Sequence, residues 1–171
     1  MKKSYYVIPL AFLFFILFVF LSQFRLVLIS GQSMEPTLHN NTFIILRKEK
    51  DIKKESIVSF IAPKSWSNQE DKSLIKRVIA EPNDELKIDS DYVYVNGEER
   101  VRIKGKVKIE QELEIKLKEN EYFVMGDNVG RSNDSLYEYS LGNNDFLIKR
   151  DTIMYSTEDY PYAVSYTHLR A

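Results

Sequence analysis

The chain has 171 residues, 44% hydrophobic and 29% charged, with a formal net charge of −1, which leaves room for one ordinary domain and an appendage. Residues 1–29 hold three charges, Lys2, Lys3 and Arg25, so residues 30–171 sum to −4 and lack the positive excess that a nucleic-acid binder needs to neutralise phosphates. With no cysteine, disulfide scaffolds, thiol catalysis and zinc–thiolate sites are excluded, and two histidines (His39, His168) are too few for a multi-histidine metal centre.

Residues 5–24 (YYVIPLAFLFFILFVFLSQF) carry no charge. A helix of that length spans roughly 30 Å, the thickness of a bilayer's hydrocarbon core. The run has no polar face for a soluble domain to solvate. It also exceeds the roughly 7–15 apolar residues of a cleavable signal peptide, and Leu21-Ser22-Gln23-Phe24-Arg25 offers no small-x-small site. The pattern predicts an uncleaved transmembrane anchor. Lys2 and Lys3 keep the N-terminus cytoplasmic and place the rest of the chain across the membrane.

Beyond the anchor, short β-type runs alternate with turn signals. Residues 43–46, 57–61, 122–125 and 152–155 are rich in β-branched and aromatic side chains. Tyr92-Val93-Tyr94-Val95 meets Asn96-Gly97, a strong two-residue hairpin signal, with residues 100–104 returning. Val101, Ile103, Val107 and Ile109 alternate with cations, and Leu113, Ile115 and Leu117 alternate with Glu114 and Lys116, which predicts strands with one wet and one packed face. No 3.6-residue period of useful length occurs outside the anchor, so the expected domain is mostly antiparallel β. Residues 63–72, with a lone Trp66, read as a polar loop that covers a sheet edge or meets the membrane interface. Residues 163–171 carry no pattern and receive no role.

Two places could carry chemistry. In Ser30-Gly31-Gln32-Ser33-Met34-Glu35-Pro36-Thr37, a serine sits in a glycine-containing turn stiffened by proline, a suitable mount for a nucleophile as well as an ordinary loop. His39 lies six residues on with no carboxylate placed to orient it, so a histidine-based triad is disfavoured. A lysine can serve as the base if burial strips its ammonium of water. In Leu74-Ile75-Lys76-Arg77-Val78-Ile79, strand alternation puts Lys76 between aliphatic neighbours, but Ile75 and Ile79 on the other face leave open which side is buried. A lysine that snorkels to water fits the same pattern.

Three motifs in series then resemble those of type I signal peptidases, the membrane-anchored serine proteases that remove signal peptides from exported proteins. They are the Ser30–Thr37 stretch, Lys76-Arg77-Val78-Ile79-Ala80-Glu81-Pro82-Asn83-Asp84, and Met125-Gly126-Asp127-Asn128 followed by Ser132-Asn133-Asp134-Ser135. The resemblance runs from the anchor to about Tyr155. It implies a mostly β fold: one N-terminal transmembrane helix followed by an antiparallel β-rich catalytic domain, divided as anchor 1–29, extracytoplasmic peptidase domain 30–162 and tail 163–171.

The resemblance further implies Ser33 as nucleophile and Lys76 as general base, with Ser132 orienting the lysine amine. Asp127, Asp134, Arg77, Gly126 and Asn128 would support them, and Met34, Gly31 and Pro36 would line the substrate cleft. The Ser33 backbone N–H would face the developing oxyanion, with no second donor identified, since Gly31 replaces the side-chain hydroxyl of some relatives. Expected partners are preprotein signal peptides, the lipid bilayer and the export machinery, with no nucleic acid, metal or organic cofactor.

Departures from the family pattern are Glu55-Ser56 for a Gly-Asp pair, Ala80 and Asn83 for glycines, and Val129 and Leu136 for arginines. Asp134 would then turn to Arg131 or Arg77. These changes keep open an alternative, a weak or inactive relative that assists surface-protein or pilus assembly. Self-cleaving proteins that share a Ser–Lys pair carry a DNA-binding domain where this chain has its apolar segment.

Overall fold

The computed structural model describes residues 7–48, 51–66, 72–105 and 107–157. In chain order the elements are α1 (Val7–Leu21), β1 (Phe24–Leu28), β2 (Phe43–Arg47), β3 (Ile57–Ile61), β4 (Ser73–Ala80), β5 (Glu85–Ile88), β6 (Tyr92–Val95), β7 (Glu98–Arg102), β8 (Leu113–Lys116), β9 (Glu121–Met125), α2 (Ser135–Ser140), β10 (Ile148–Lys149) and β11 (Ile153–Thr157). The pairings are antiparallel and build a seven-stranded sheet, β1-β2-β11-β3-β4-β9-β10, and a four-stranded sheet, β7-β6-β5-β8.

The mostly antiparallel β expectation holds, with several corrections. Helix α1 covers 15 residues, about 22 Å at 1.5 Å per residue. No helix among the described residues is long and apolar enough to cross a membrane. Tyr5 and Tyr6, counted in the uncharged run, lie outside the described residues. The run stops being helical at Ser22, whose hydroxyl donates to the Val19 carbonyl at 2.7 Å. Phe24, read as anchor, instead opens β1 and pairs with Arg47, so the sheet begins six residues before the expected boundary. Every side chain from Pro9 to Leu21 is exposed.

Alternation in β1 and β2 splits their side chains cleanly. Ile44 and Leu46 are buried with Ile29, Met34, Leu38 and Ile57, while Leu26, Leu28, Phe43 and Ile45 are 49–63% exposed on the other face. The strand expected through Val107 and Ile109 does not form. β7 ends at Arg102, and these two side chains pack as irregular chain against the core beneath the small sheet. That core joins Leu86, Ile88, Val93, Val95 and Val101 to Phe123, Met125, Leu136 and Phe146, each fully buried side chain contributing about 1.5–3 kcal/mol. Trp66 is a core residue rather than an interfacial one. It is 4% exposed, meets Phe60 edge-on and donates from Nε1 to the Asp145 carbonyl at 2.6 Å. The tail 163–171 lies outside the described residues.

Turn chemistry follows the sequence. Asn96 and Gly97 take φ of 53° and 80° in the β6–β7 hairpin, the left-handed pair that a tight hairpin requires. Asn83 has φ 71°. Glu55 holds φ 73°, a conformation that costs a side-chain-bearing residue roughly 1 kcal/mol.

Leu136 is 1% exposed, whereas Val129 is only partly buried at the cluster's margin. Replacing Leu136 by the family's arginine should therefore destabilise the fold by about 3 kcal/mol or more in urea unfolding, because it buries an unpaired cation. Val129→Arg should stay within about 1 kcal/mol of the original chain.

Candidate active site

Ser33 is carried by the loop that joins β1 to β2. The loop is closed at its base by bonds from Ile29 N–H to Thr42 O and from Asn41 N–H to Ile29 O, at 2.8 and 2.9 Å. Gly31 has φ 104°, and its N–H donates to Asn40 Oδ1 at 2.9 Å. Met34 and Leu38 are 1% and 2% exposed and pin the loop to the Ile44–Leu46–Ile57 core. Met34 is thus a buried anchor of the loop. Gly31 and Pro36 are exposed and Ser33 is half-exposed. Among the described residues the Ser33 backbone N–H makes no hydrogen bond, so it is free to donate to a ligand.

The third motif braces this loop from the other side. The Asn128 backbone N–H donates to the Ser33 carbonyl at 3.0 Å, and its side-chain amide donates to the Gln32 carbonyl at 2.9 Å. Gly126 is needed bare: a side-chain carbon there would collide with the Ser33 carbonyl and with Ser132 Oγ.

Lys76 lies on β4, opposite Val58 of β3. The strand is central and packed on both faces, which resolves the ambiguity left by alternation. Lys76 is 2% exposed, and its Nζ lies 2.9 Å from Ser33 Oγ and 3.0 Å from the Ile75 carbonyl. Burial pulls its pKa down from 10.5 to about 8, against the opposing pull of Asp134. At pH 7 about a tenth of such an amine is neutral. A neutral amine at that distance can accept the hydroxyl proton and later return it as an ammonium.

Arg77, on the other face of β4, is fully buried. It grips Asp127 with Nε–Oδ1 at 2.9 Å and Nη2–Oδ2 at 2.7 Å, and Nη1 donates to the Glu55 carbonyl at 2.8 Å. The Glu55 carboxylate pairs with Arg100 of the small sheet. A bidentate, desolvated pair of this kind fixes geometry as well as charge.

Asp134 takes neither of its expected partners. Arg77 is committed to Asp127 and Arg131 is exposed, while Asp134 accepts the Gly126 N–H at 2.9 Å and, as N-cap of α2, the Tyr137 N–H at 3.1 Å. Backbone donors satisfy this carboxylate, and Leu136 joins the core. Burial raises the Asp134 pKa, with the Gly126 N–H, Ser132, the Tyr137 N–H and Lys76 holding it down.

Ser132 does not make the expected bond to Lys76. Its Oγ is buried over Gly126 and beside the Asp134 carboxylate, while the lysine is engaged by Ser33 and Ile75. Asn40, Glu55 and the Ile75 carbonyl are site contributors that sequence reasoning missed. Only Asn40, in the His-Asn-Asn turn, carried a signal, as a turn-type amide.

Removing the buried ammonium should stabilise the protein. Lys76 binds its proton more tightly when unfolded (10.5) than when folded (about 8), so below pH 8 the folded state bears the full desolvation penalty, and stability rises with pH between those values. Lys76→Met should stabilise the fold at pH 7 by on the order of 3 kcal/mol before lost hydrogen bonds are counted, read as a higher thermal midpoint. The advantage should shrink as the pH passes from 8 toward 10.5 in parallel melts of both proteins.

The sequence matches the family model "Signal peptidase, peptidase S26" over residues 3–155. It is 31% identical over 122 residues to Signal peptidase I of Bacillus amyloliquefaciens, covering 63% of this chain and 62% of that protein. It is 32% identical over 119 residues to Probable signal peptidase I-2 of Synechocystis, covering 64% of this chain and 53% of that protein. The crystal structure of a signal peptidase I from Enterococcus faecalis aligns with 62% of this chain and 96% of its own, at 21% identity and a TM-score of 0.44. The chain spans between about half and two thirds of the length of these two sequence relatives. With all three motifs inside the matched span, the chain belongs to the type I signal peptidases of the peptidase S26 family.

Proposed function

We propose that this protein is a membrane-anchored serine endopeptidase that removes signal peptides from exported preproteins, with Ser33 as nucleophile and Lys76 as general base. The observation that carries this reading is the 2.9 Å separation of Lys76 Nζ from Ser33 Oγ at a buried amine. Lys76 takes the hydroxyl proton as Ser33 Oγ attacks the scissile carbonyl. The resulting ammonium then protonates the departing amine, leaving an acyl-enzyme that water hydrolyses with Lys76 again as base. The unbonded Ser33 N–H receives the oxyanion in this reading, where a preorganised donor contributes about 3 kcal/mol.

The membrane part of the reading is supported by α1 and its surroundings. Its described side chains from Pro9 onward are all exposed, and its apolar surface continues onto Leu26, Leu28, Phe43 and Ile45, a patch of the kind that marks a membrane or partner contact. Lys2 and Lys3 favour a cytoplasmic N-terminus and an extracytoplasmic catalytic domain. Ser33 lies nine residues past Phe24, so its hydroxyl is within about 30 Å of the end of the uncharged run. That suits cleavage sites emerging beside a substrate's own apolar segment. β1, at the rim of the sheet, offers a free edge along which an extended peptide can add.

Purified full-length protein in detergent should cut a preprotein carrying an Ala-x-Ala site. Ser33→Ala and Lys76→Met should each reduce cleavage by at least about a thousandfold while leaving the circular dichroism spectrum unchanged. The rate should climb about tenfold per pH unit up to about pH 8 and then level. Full activity in Ser33→Ala would refute the assignment. Folded but inert wild-type protein on several preproteins would favour the assembly-factor alternative.

A further inference from the structure

Beside β1 runs a groove of about 460 Å³ whose walls are residues 25–28 of that strand together with Ser59, Ser73, Met154 and Tyr155. Arg25 and Val27 pair with Leu46 and Ile44, whose side chains are buried, so both lie on the inner face of the strand. Leu26 and Leu28 point the other way, into the exposed apolar face shared with Phe43 and Ile45. No carboxylate lines the groove. Among the described residues Arg25 has no ion-pair partner, and a second cation, Lys48, sits 6.0 Å over the Tyr155 ring. The groove is thus apolar and hydroxyl-lined with a positive, uncompensated end. Ser59 of the groove wall pairs with Ile75, whose carbonyl accepts from Lys76 Nζ at 3.0 Å, so the groove ends beside the strand that carries the proposed base.

We propose that Arg25 is a specificity-determining residue that receives an acidic side chain of the preprotein upstream of the cut; this rests on the peptidase reading above. A substrate's apolar segment stays in the bilayer, so the residues preceding the scissile bond run from lipid toward Ser33, in the direction β1 takes from α1. Arg25 lies eight positions before Ser33, which puts the acid at most about eight residues before the cut, given matched strand rise. A lipid phosphate is the competing anion. The inner-face placement favours the peptide, because the apolar surface suited to lipid is on the opposite side of the same strand.

The test uses full-length protein in neutral-lipid vesicles and one Ala-x-Ala preprotein with Glu, Gln or Lys placed five to eight residues before the cut. Wild type should process the Glu form about twofold to fivefold faster than the Lys form in kcat/KM, with the gap closing in high salt. Arg25→Glu should invert the order of the two. Cleavage without charge preference, or an order unchanged in Arg25→Glu, would overturn the inference while leaving the peptidase reading intact. An Arg25 effect that appears only in anionic vesicles and is equal for all three substrates would assign the guanidinium to lipid and overturn it as well. Failure to cut any of the three would instead count against the peptidase reading.

Discussion

The burial of one amine is the constraint around which the rest of the site is arranged. A lysine in water is a cation and a poor base at neutral pH. On a central strand with both faces packed, Lys76 loses its hydration and its pKa falls to about 8. Among the described residues its hydrogen-bonding neighbours are the Ser33 hydroxyl and the Ile75 carbonyl. The fold bears an energetic burden there, and such local burdens are characteristic of functional sites.

The surrounding structure holds the serine rather than the lysine. Met34 and Leu38 anchor its loop in the core, Asn128 grips the carbonyls of residues 32 and 33, and bare Gly126 lets those backbones approach. Arg77 and Asp127 neutralise one another beneath this contact, and through Glu55 and Arg100 the small sheet is tied to the base-bearing strand. The departures from family pattern are consistent with one local rearrangement. Asp134 caps α2 and takes backbone N–H groups, and Leu136 extends the core under Phe123 and Phe146.

Much of this was legible in the sequence where local chemistry decides structure. The Asn96-Gly97 turn, the left-handed Asn83 and the strands at Phe43, Ile57, Tyr92 and Tyr122 follow from residue type and alternation. Other features depend on distant partners. β1 has the composition of the apolar run before it, and only its pairing with residues 43–47 makes it a strand. Lys76 could not be assigned a buried face because both flanks are apolar. Met34 adjoins the serine yet points into the core, and Trp66, among polar neighbours, is buried by contacts with Phe60 and Asp145. Helix α2 is six residues long, too short for a period to register.

The account rests on the protonation state of Lys76, which can be read directly. Carbon-13 labelling of lysine side chains, with the Lys76 signal assigned by its loss in Lys76→Met, would follow the Cε shift through a pH titration of the folded protein. The account predicts a transition near pH 8. A transition near 10.5, the value of a solvated amine, would contradict it.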